Sequence, residues 1–459
     1  MAQCSGFSKK DLMGIRSLAR RGSSYAASPK LYRMLLSTHR IPGLVLSEHQ
    51  FEVPLDYADP EAEQILVFAR TVSRPRASGR SRPWLVFLQG GPGFGAPRPF
   101  DSSGWLGRAL DEYDVVLLDE RGTGLSTPQT ARSLASLDAQ HQAAKLALFR
   151  ADSIVRDAEL VRRELCGDER WTVLGQSYGG FCATRYLSAA PAGLAGVVLT
   201  GGLPPLHGGP DEVYRRTYPR VLERNRQYYA RYPGDVDRGR RIAQILVESD
   251  VRLPCGDRLS VRRFQQLGLQ LGMSDGAEAL HYLFEQAFVV GEDELSQMFL
   301  REFENALHFD TNPVFAILHE ACYTQGTASN WSAERLRGDF PEFAHDPDAP
   351  LFFTGEMIYP WMFEEIGALR PLREAAEILA AREDWPQLYD PEQLAGNEIP
   401  TVAAVYVNDM YVDRVLSEET AAAIRGTRIW MTNEFEHNGL RAAGARVLGQ
   451  LLDMLHGRR

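Results

Sequence analysis

The stretch RWTVLGQSYGGFCATRYLSAAP, residues 170–191, sets an apolar run, a serine-centred turn and a helical segment end to end, with nothing between them. Within it, Gly175-Gln176-Ser177-Tyr178-Gly179 fits G-x-S-x-G. That pattern marks a strained strand-to-helix bend that lifts a nucleophilic hydroxyl above a sheet. The glycines have a steric task, because residues two away from the serine must be small for strand and helix to approach. Such a bend requires a buried strand before it and a helix packed back on the sheet behind it. The rest of the chain agrees. RPWLVFLQ, YDVVLLDE and LAGVVLTGG are near-continuous apolar runs, as expected of strands covered on both faces. Helical stretches such as SIVRDAELVRREL separate them, and that alternation is the α/β signature.

The α/β texture stops after Pro205. From 206 to 395, Arg, Tyr, Gln and Glu recur at helical spacing, as in DEVYRRTYPRVLERNRQYYARYPG, and strand-like runs are few. It resumes at IPTVAAVYVND and ends in the helical RAAGARVLGQLLDMLHG. We therefore expect a core of mostly parallel central sheet with flanking helices, built from 41–205 and 396–459. A mainly helical cap domain, 206–395, interrupts it. Residues 1–40 read as a basic N-terminal extension in which Asp11 is the only acid. This composition also suits a mitochondrial transit segment, but composition alone is weak ground for one, so the plain extension and a cytoplasmic protein are the expectation.

Composition narrows the partners. A formal net charge of -10 argues against nucleic acid, whose phosphates need a Lys/Arg surplus. No apolar run approaches the ~20 residues of a membrane span. The 5 cysteines are odd in number and far apart, which suggests neither a disulfide framework nor a zinc site and favours a reducing compartment. Oligomeric state has no signature here.

The loop WLVFLQGGPGFGAPRPF, residues 84–100, admits two readings. Gly91, Gly93 and Ala96 fit G-x-G-x-x-[GA], and Asp119 follows where a dinucleotide fold keeps its ribose-binding acid. Against this, two prolines stand where the phosphate-binding helix should run. The serine bend suggests another anion, the tetrahedral oxyanion of acyl transfer. One donor to it is the N–H of the residue after the nucleophile, Tyr178. The other comes from a loop after an earlier strand, and the bare backbone at Gly91 in QGGPG suits that role.

The base and its orienting acid should follow the serine in the order acid, then histidine. His437 in NEFEHNGLR follows the last strand-like run and precedes the last helix, where a loop can return over the serine. VAAVYVNDMYVD offers Asp409 and Asp413. Asp409 directly follows the apolar run and is favoured, while Asp413 suits a solvated turn. Ser177 then attacks the acyl carbon, His437 moves the proton and Asp409 holds the imidazole tautomer. With an ordinary histidine value near 6.5, activity should fall below about pH 6.

Together GGPG, DERGTGLS, GQSYGG and EHNGLR resemble the prolyl aminopeptidases, also called proline iminopeptidases, of the α/β-hydrolase fold. HEACYTQGTASNWSAERLRGDFPEF and FTGEMIYPWMF within the insertion are similar to the longer-chain branch of that family. The loop departs from the common pattern at Gln89, where shorter members carry His; a backbone donor should tolerate the change. The resemblance implies a serine exopeptidase that releases N-terminal proline from short peptides and needs no cofactor. It also implies that Glu320 in HEACY and Glu356 in GEMIY hold the substrate's amine. A secondary ammonium has two N–H donors that buried carboxylates can accept.

HEACY is close to H-E-x-x-H, but Tyr323 replaces the second histidine and no metal site is completed. Asp119 and Arg121 should organise the loop beside the site. Tyr359, Trp361 and Phe363 in YPWMF either line a pocket for the proline ring or form helix core. The alternative function is an esterase or amidase of the same fold acting on small acyl substrates, which has no need of paired carboxylates at the acyl end.

Overall fold

The computed structural model describes residues 33–75, 82–291 and 294–458. Among them nine strands form one sheet: β1 (Arg33–Ile41), β2 (Leu44–Pro54), β3 (Gln64–Ser73), β4 (Trp84–Leu88), β5 (Asp114–Leu118), β6 (Trp171–Gln176), β7 (Leu194–Thr200), β8 (Thr401–Tyr406) and β9 (Arg428–Thr432). The order across the sheet is β1-β2-β3-β5-β4-β6-β7-β8-β9. From β5 to β9 every neighbouring pair is parallel, and β1, β2, β3 and β5 pair antiparallel. This is the mostly parallel α/β sheet expected.

Sequence pattern explains the division. All residues of β5 and β8 are buried, because helices cover both faces of a parallel sheet and such strands must be apolar throughout. β2 alternates buried and part-exposed positions over most of its length, as befits an antiparallel strand with one wet face. The C-terminal helix Gly444–Leu455 packs on the sheet through fully buried Val447, Leu448, Leu451 and Leu452, a stripe at helical spacing.

Residues 1–32 of the expected extension lie outside the described residues. Its last part does not behave as an extension: Arg33–Ile41 is the edge strand β1, paired with β2 from Arg33↔Phe51 to Ile41↔Leu44. Gly43, at φ 77, makes the turn between them. Basic composition conceals a strand that is held by main-chain hydrogen bonds and not by burial, since β1 is exposed almost throughout.

Between β7 and β8, the described residues from Gly209 to Ala395 contribute helices, short 3-10 turns and two isolated bridges, and no strand to the sheet. Tyr228, Phe264, Phe284 and Phe353 pack edge-to-face or stacked within this insertion, with ring centroids 5.7–6.5 Å apart in three of the pairs. Among the described residues no helix is long and apolar enough to cross a membrane.

The parallel strands end at one common edge. The loops after β4, β6, β7, β8 and β9 open there, where open α/β sheets place their ligands.

Candidate active site

Ser177 directly follows β6 and opens the helix Tyr178–Ala189. Its backbone lies at φ 54, ψ -124, a region unfavourable for a residue with a Cβ. The surrounding glycines show why the bend can exist. A Cβ on Gly179 would lie 2.0 Å from the Leu88 carbonyl oxygen, one on Gly180 2.3 Å from that of Gly202, and one on Gly175 2.4 Å from that of Gly179. Helix and strands therefore touch backbone to backbone around the serine.

The glycine loop after β4 lies against the same residue. A Cβ on Gly90 would be 2.9 Å from the Ser177 Cβ. Gly91, the next residue of that loop, has φ 143. Tyr178 is the first residue of its helix, so its N–H has no partner one turn back. The N–H groups of Gly91 and Tyr178 are the two that the sequence assigns to an oxyanion. A Cβ on Gly93 would meet the Phe315 backbone nitrogen at 2.6 Å, so this loop also braces against the insertion.

Asp119 organises the loop. Its carboxylate accepts the N–H groups of Ala96 and Leu125, both at 2.9 Å, and two bonds from Arg98 at 2.7 and 2.5 Å. So occupied, it has little left for a ribose. Arg121 is fully buried; its guanidinium pairs twice with Asp157 at 2.6 Å and donates to the carbonyls of Pro54, Leu55 and Leu148.

Asp409 and His437 meet. Nδ1 of His437 lies 2.7 Å from Asp409 Oδ2. With Nδ1–H donating there, Nε2 keeps its lone pair for a proton. The other carboxylate oxygen of Asp409 accepts the N–H groups of Tyr411 at 2.8 Å and Val412 at 3.1 Å. Asp413 does something else: it caps the helix Arg414–Ala423 by accepting from Val415 and Leu416, and pairs with Arg220 at 3.2 Å.

The loop after β7 connects this pair to the serine. A Cβ on Gly201 would come within 3.3 Å of His437 Nδ1, and one on Gly202 within 2.3 Å of the Ser177 carbonyl oxygen. Consecutive glycines thus touch the imidazole and the Ser177 backbone. TGG in this loop is a signal the sequence reading left unused. So is Tyr411, whose ring stands edge-on to His437 at 4.8 Å.

Electrostatics sharpen the site. Burial pulls the His437 value down, but Asp409, through charge and hydrogen bond, and the Glu356 carboxylate together outweigh it and leave the imidazole above its ordinary value. The acid limb of activity is therefore expected higher than the pH 6 inferred from an unperturbed histidine. Burial raises Glu356 to about 7, with His437 lowering it and Asp409 raising it.

The two glutamates differ in their surroundings. Glu320 is buried, and its two oxygens accept the N–H groups of Ser332 at 3.1 Å and Ala333 at 2.9 Å. It thereby serves the start of the helix Ser332–Arg337. Burial raises it to about 6 despite these bonds. Glu356 is partly exposed, and its charge is felt by His437, Cys322, Tyr323 and Tyr411. Buried His319, weighed in the sequence only as the start of a zinc motif, hydrogen-bonds the Glu356 backbone. Tyr359, Trp361 and Phe363 are buried in the insertion: Tyr359 against Tyr218, Trp361 against Tyr359 and Arg262, and Phe363 against Trp331. Of the two roles open to them, the packing is that of core.

Comparison with known proteins places this site in context. The family profile for the alpha/beta hydrolase fold matches residues 83–287. The chain is 51% identical over 413 residues to a proline iminopeptidase of Aeromonas sobria, covering 90% of this chain and 97% of that protein. It is 37% identical over 429 residues to proline iminopeptidase aneH of Aspergillus aculeatus, covering 90% and 94% respectively. A solved proline iminopeptidase structure from Mycobacterium smegmatis is similar at 15% identity and a TM-score of 0.43, covering 88% of this chain and 97% of that one.

Proposed function

The chain belongs to the proline iminopeptidase family of α/β-hydrolase-fold serine peptidases, and from that premise we propose that it releases N-terminal proline from short peptides through an acyl-enzyme on Ser177. The observation that carries this reading is the Gly201-Gly202 junction, which touches the Asp409-bound imidazole with one residue and the strained serine with the next.

In this reading His437 Nε2 accepts the Ser177 hydroxyl proton as Oγ attacks the prolyl carbonyl carbon. The oxyanion that forms accepts the N–H groups of Tyr178 and Gly91, two preorganised dipoles in a site largely closed to water. His437 then returns the proton to the leaving peptide amine, and water repeats the sequence to free proline. Asp409 keeps the proton on Nδ1 and stabilises the imidazolium.

Selecting a free N-terminal proline requires a group that prefers a secondary ammonium. In this reading Glu356 accepts it, a role supported by its partial exposure and by its charge acting on His437. Glu320, at the start of the short turn that carries Cys322, reinforces the negative charge in this reading; a carboxylate has about four lone-pair sites, so its two backbone bonds leave acceptor capacity. Near pH 7 an arriving ammonium favours the ionised form of Glu356, which binds it by charge-assisted hydrogen bonds.

The test uses proline-p-nitroanilide and its N-acetyl derivative. The protein is expected to cleave the first, to cleave the second poorly, and to lose activity as Ser177→Ala. Equal turnover of the free and blocked compounds would mean the amine is not read, and would favour an esterase or amidase acting on small acyl groups.

A further inference from the structure

The catalytic histidine's loop does not rest on the sheet alone. It lies in a seat made by the insertion, and the seat closes through one arginine. Arg224, on the long helix Gly209–Arg231, donates from Nε at 3.1 Å and Nη2 at 3.0 Å to the Leu271 carbonyl, and from Nη1 at 3.0 Å to Glu436 Oε1. The next carbonyl, Gly272, accepts the His437 backbone N–H at 3.1 Å. The circuit Arg224–Leu271–Gly272–His437–Glu436–Arg224 is therefore complete. Both side chains of the ion pair are largely withdrawn from water, at 16% and 17% exposure, so it lacks the screening that makes exposed pairs nearly worthless.

The same seat grips the loop on its other side. Ser274 donates from N and Oγ to Asn438 Oδ1, each at 2.8 Å, and its Oγ accepts the Glu436 N–H at 3.3 Å. Tyr411, whose ring braces the imidazole, donates its hydroxyl to the Leu269 carbonyl. A Cβ on Gly272 would come within 2.2 Å of that ring, so residue 272 must be glycine for ring and seat to meet.

We infer that Arg224 is a positioning residue for the catalytic base, and that the insertion, through residues 269–274, sets the aim of His437. This rests on the reading of Ser177 and His437 as nucleophile and base. Small displacements of a reacting group cost up to about 100-fold in rate.

The experiment compares Arg224→Met, Arg224→Lys and Ser274→Ala with the unaltered protein. The readouts are proline-p-nitroanilide kinetics, p-nitrophenyl acetate hydrolysis, the rate of Ser177 labelling by a fluorophosphonate, and thermal unfolding. Arg224→Met is expected to lower kcat about 10- to 100-fold with KM within about twofold. Ester hydrolysis and labelling should slow in parallel, since neither uses the amine site. Lysine has one nitrogen and cannot span both Leu271 and Glu436, so it should recover only part of the loss. Ser274→Ala is expected to cost about three- to tenfold, the worth of one hydrogen bond, and decides the matter if the methionine variant does not fold. Folded variants with unaltered kcat and labelling, or with only KM changed, overturn the inference while the peptidase reading stands. Failure of the unaltered protein to label at Ser177 sinks both.

Discussion

Replacing Asp409 by Asn tests the site at its narrowest point. The substitution preserves shape, and the structure dictates which way the amide must turn. Asp409 Oδ1 accepts two backbone N–H groups, from Tyr411 and Val412, at 2.8 and 3.1 Å. The amide oxygen must stay there, because an NH2 group facing two donors would leave two buried N–H groups unpaired at about 1–3 kcal/mol each. The amide NH2 is then forced toward His437 Nδ1, where the carboxylate oxygen now lies at 2.7 Å. A donor at that point makes Nδ1 an acceptor and moves the imidazole proton to Nε2, the atom that must take the serine's proton. Adopting the wrong tautomer in a Ser-His-Asp site costs about 10⁴ in kcat, or roughly 5.4 kcal/mol. The assay is proline-p-nitroanilide hydrolysis across pH.

The residual activity should also move along the pH axis. His437 acts only when neutral, and Asp409 and Glu356 hold its value above the ordinary 6.5 against burial. In the native protein activity is therefore lost as pH falls through a value above 6.5. Without the Asp409 charge, burial regains weight and the acid limb shifts to lower pH. A variant that keeps kcat within tenfold of the native protein, or whose acid limb does not move, would show that Asp409 does not govern the imidazole.

Three further outcomes follow from the same geometry. Glu356→Gln should lower kcat/KM for the free amine substrate by about 10- to 100-fold, the worth of a hydrogen bond to a charged group, and leave the N-acetyl compound unaffected; equal losses on both would remove its amine-reading role. Glu320→Gln keeps one oxygen for the Ser332 and Ala333 N–H groups, so urea unfolding should report a loss of about 1–3 kcal/mol, and an unchanged midpoint would deny the capping role. Arg121→Met strands the buried Asp157 carboxylate and should cost about 3–5 kcal/mol by the same measurement, with a loss under 1 kcal/mol counting against the account of that loop.

Much of this site is legible in short stretches of sequence because its physics is local. Gly175, Gly179 and Gly180 flank Ser177 as the crowding of the bend demands: a Cβ on Gly175 would meet the Gly179 carbonyl within the bend itself, and those on Gly179 and Gly180 would meet β4 and the loop after β7. The position of Asp409 after β8 follows from where a buried strand ends. The competing Asp413 is absorbed by the helix that starts one residue later. Asp119 reads correctly as a loop organiser, since a charged residue just beyond an apolar strand end needs partners and the loop's backbone N–H groups supply them; Arg121 turns instead to Asp157 and to the carbonyls of Pro54, Leu55 and Leu148.

Other features were closed to the sequence. Composition marked 33–40 as part of a tail, yet main-chain pairing with β2 makes it a strand. His437 can be picked out by its place before the last helix, but not the raised value it acquires beside Asp409 and Glu356. Resemblance assigned Glu320 and Glu356 one role, and the fold then gave them different neighbours.

The chain's own order of residues determined the bend at Ser177, the bare glycine turn before it and the succession of acid and histidine, because steric crowding and strand periodicity act over a few neighbours. Only the tertiary structure decided that Gly201 and Gly202 join His437 to Ser177, that Glu320 turns to a helix while the Glu356 charge acts on the imidazole, and that Arg224 reaches from the insertion to the histidine's loop. Those contacts join residues up to more than 200 positions apart, and local pattern carries no record of which distant backbone will arrive beside which side chain.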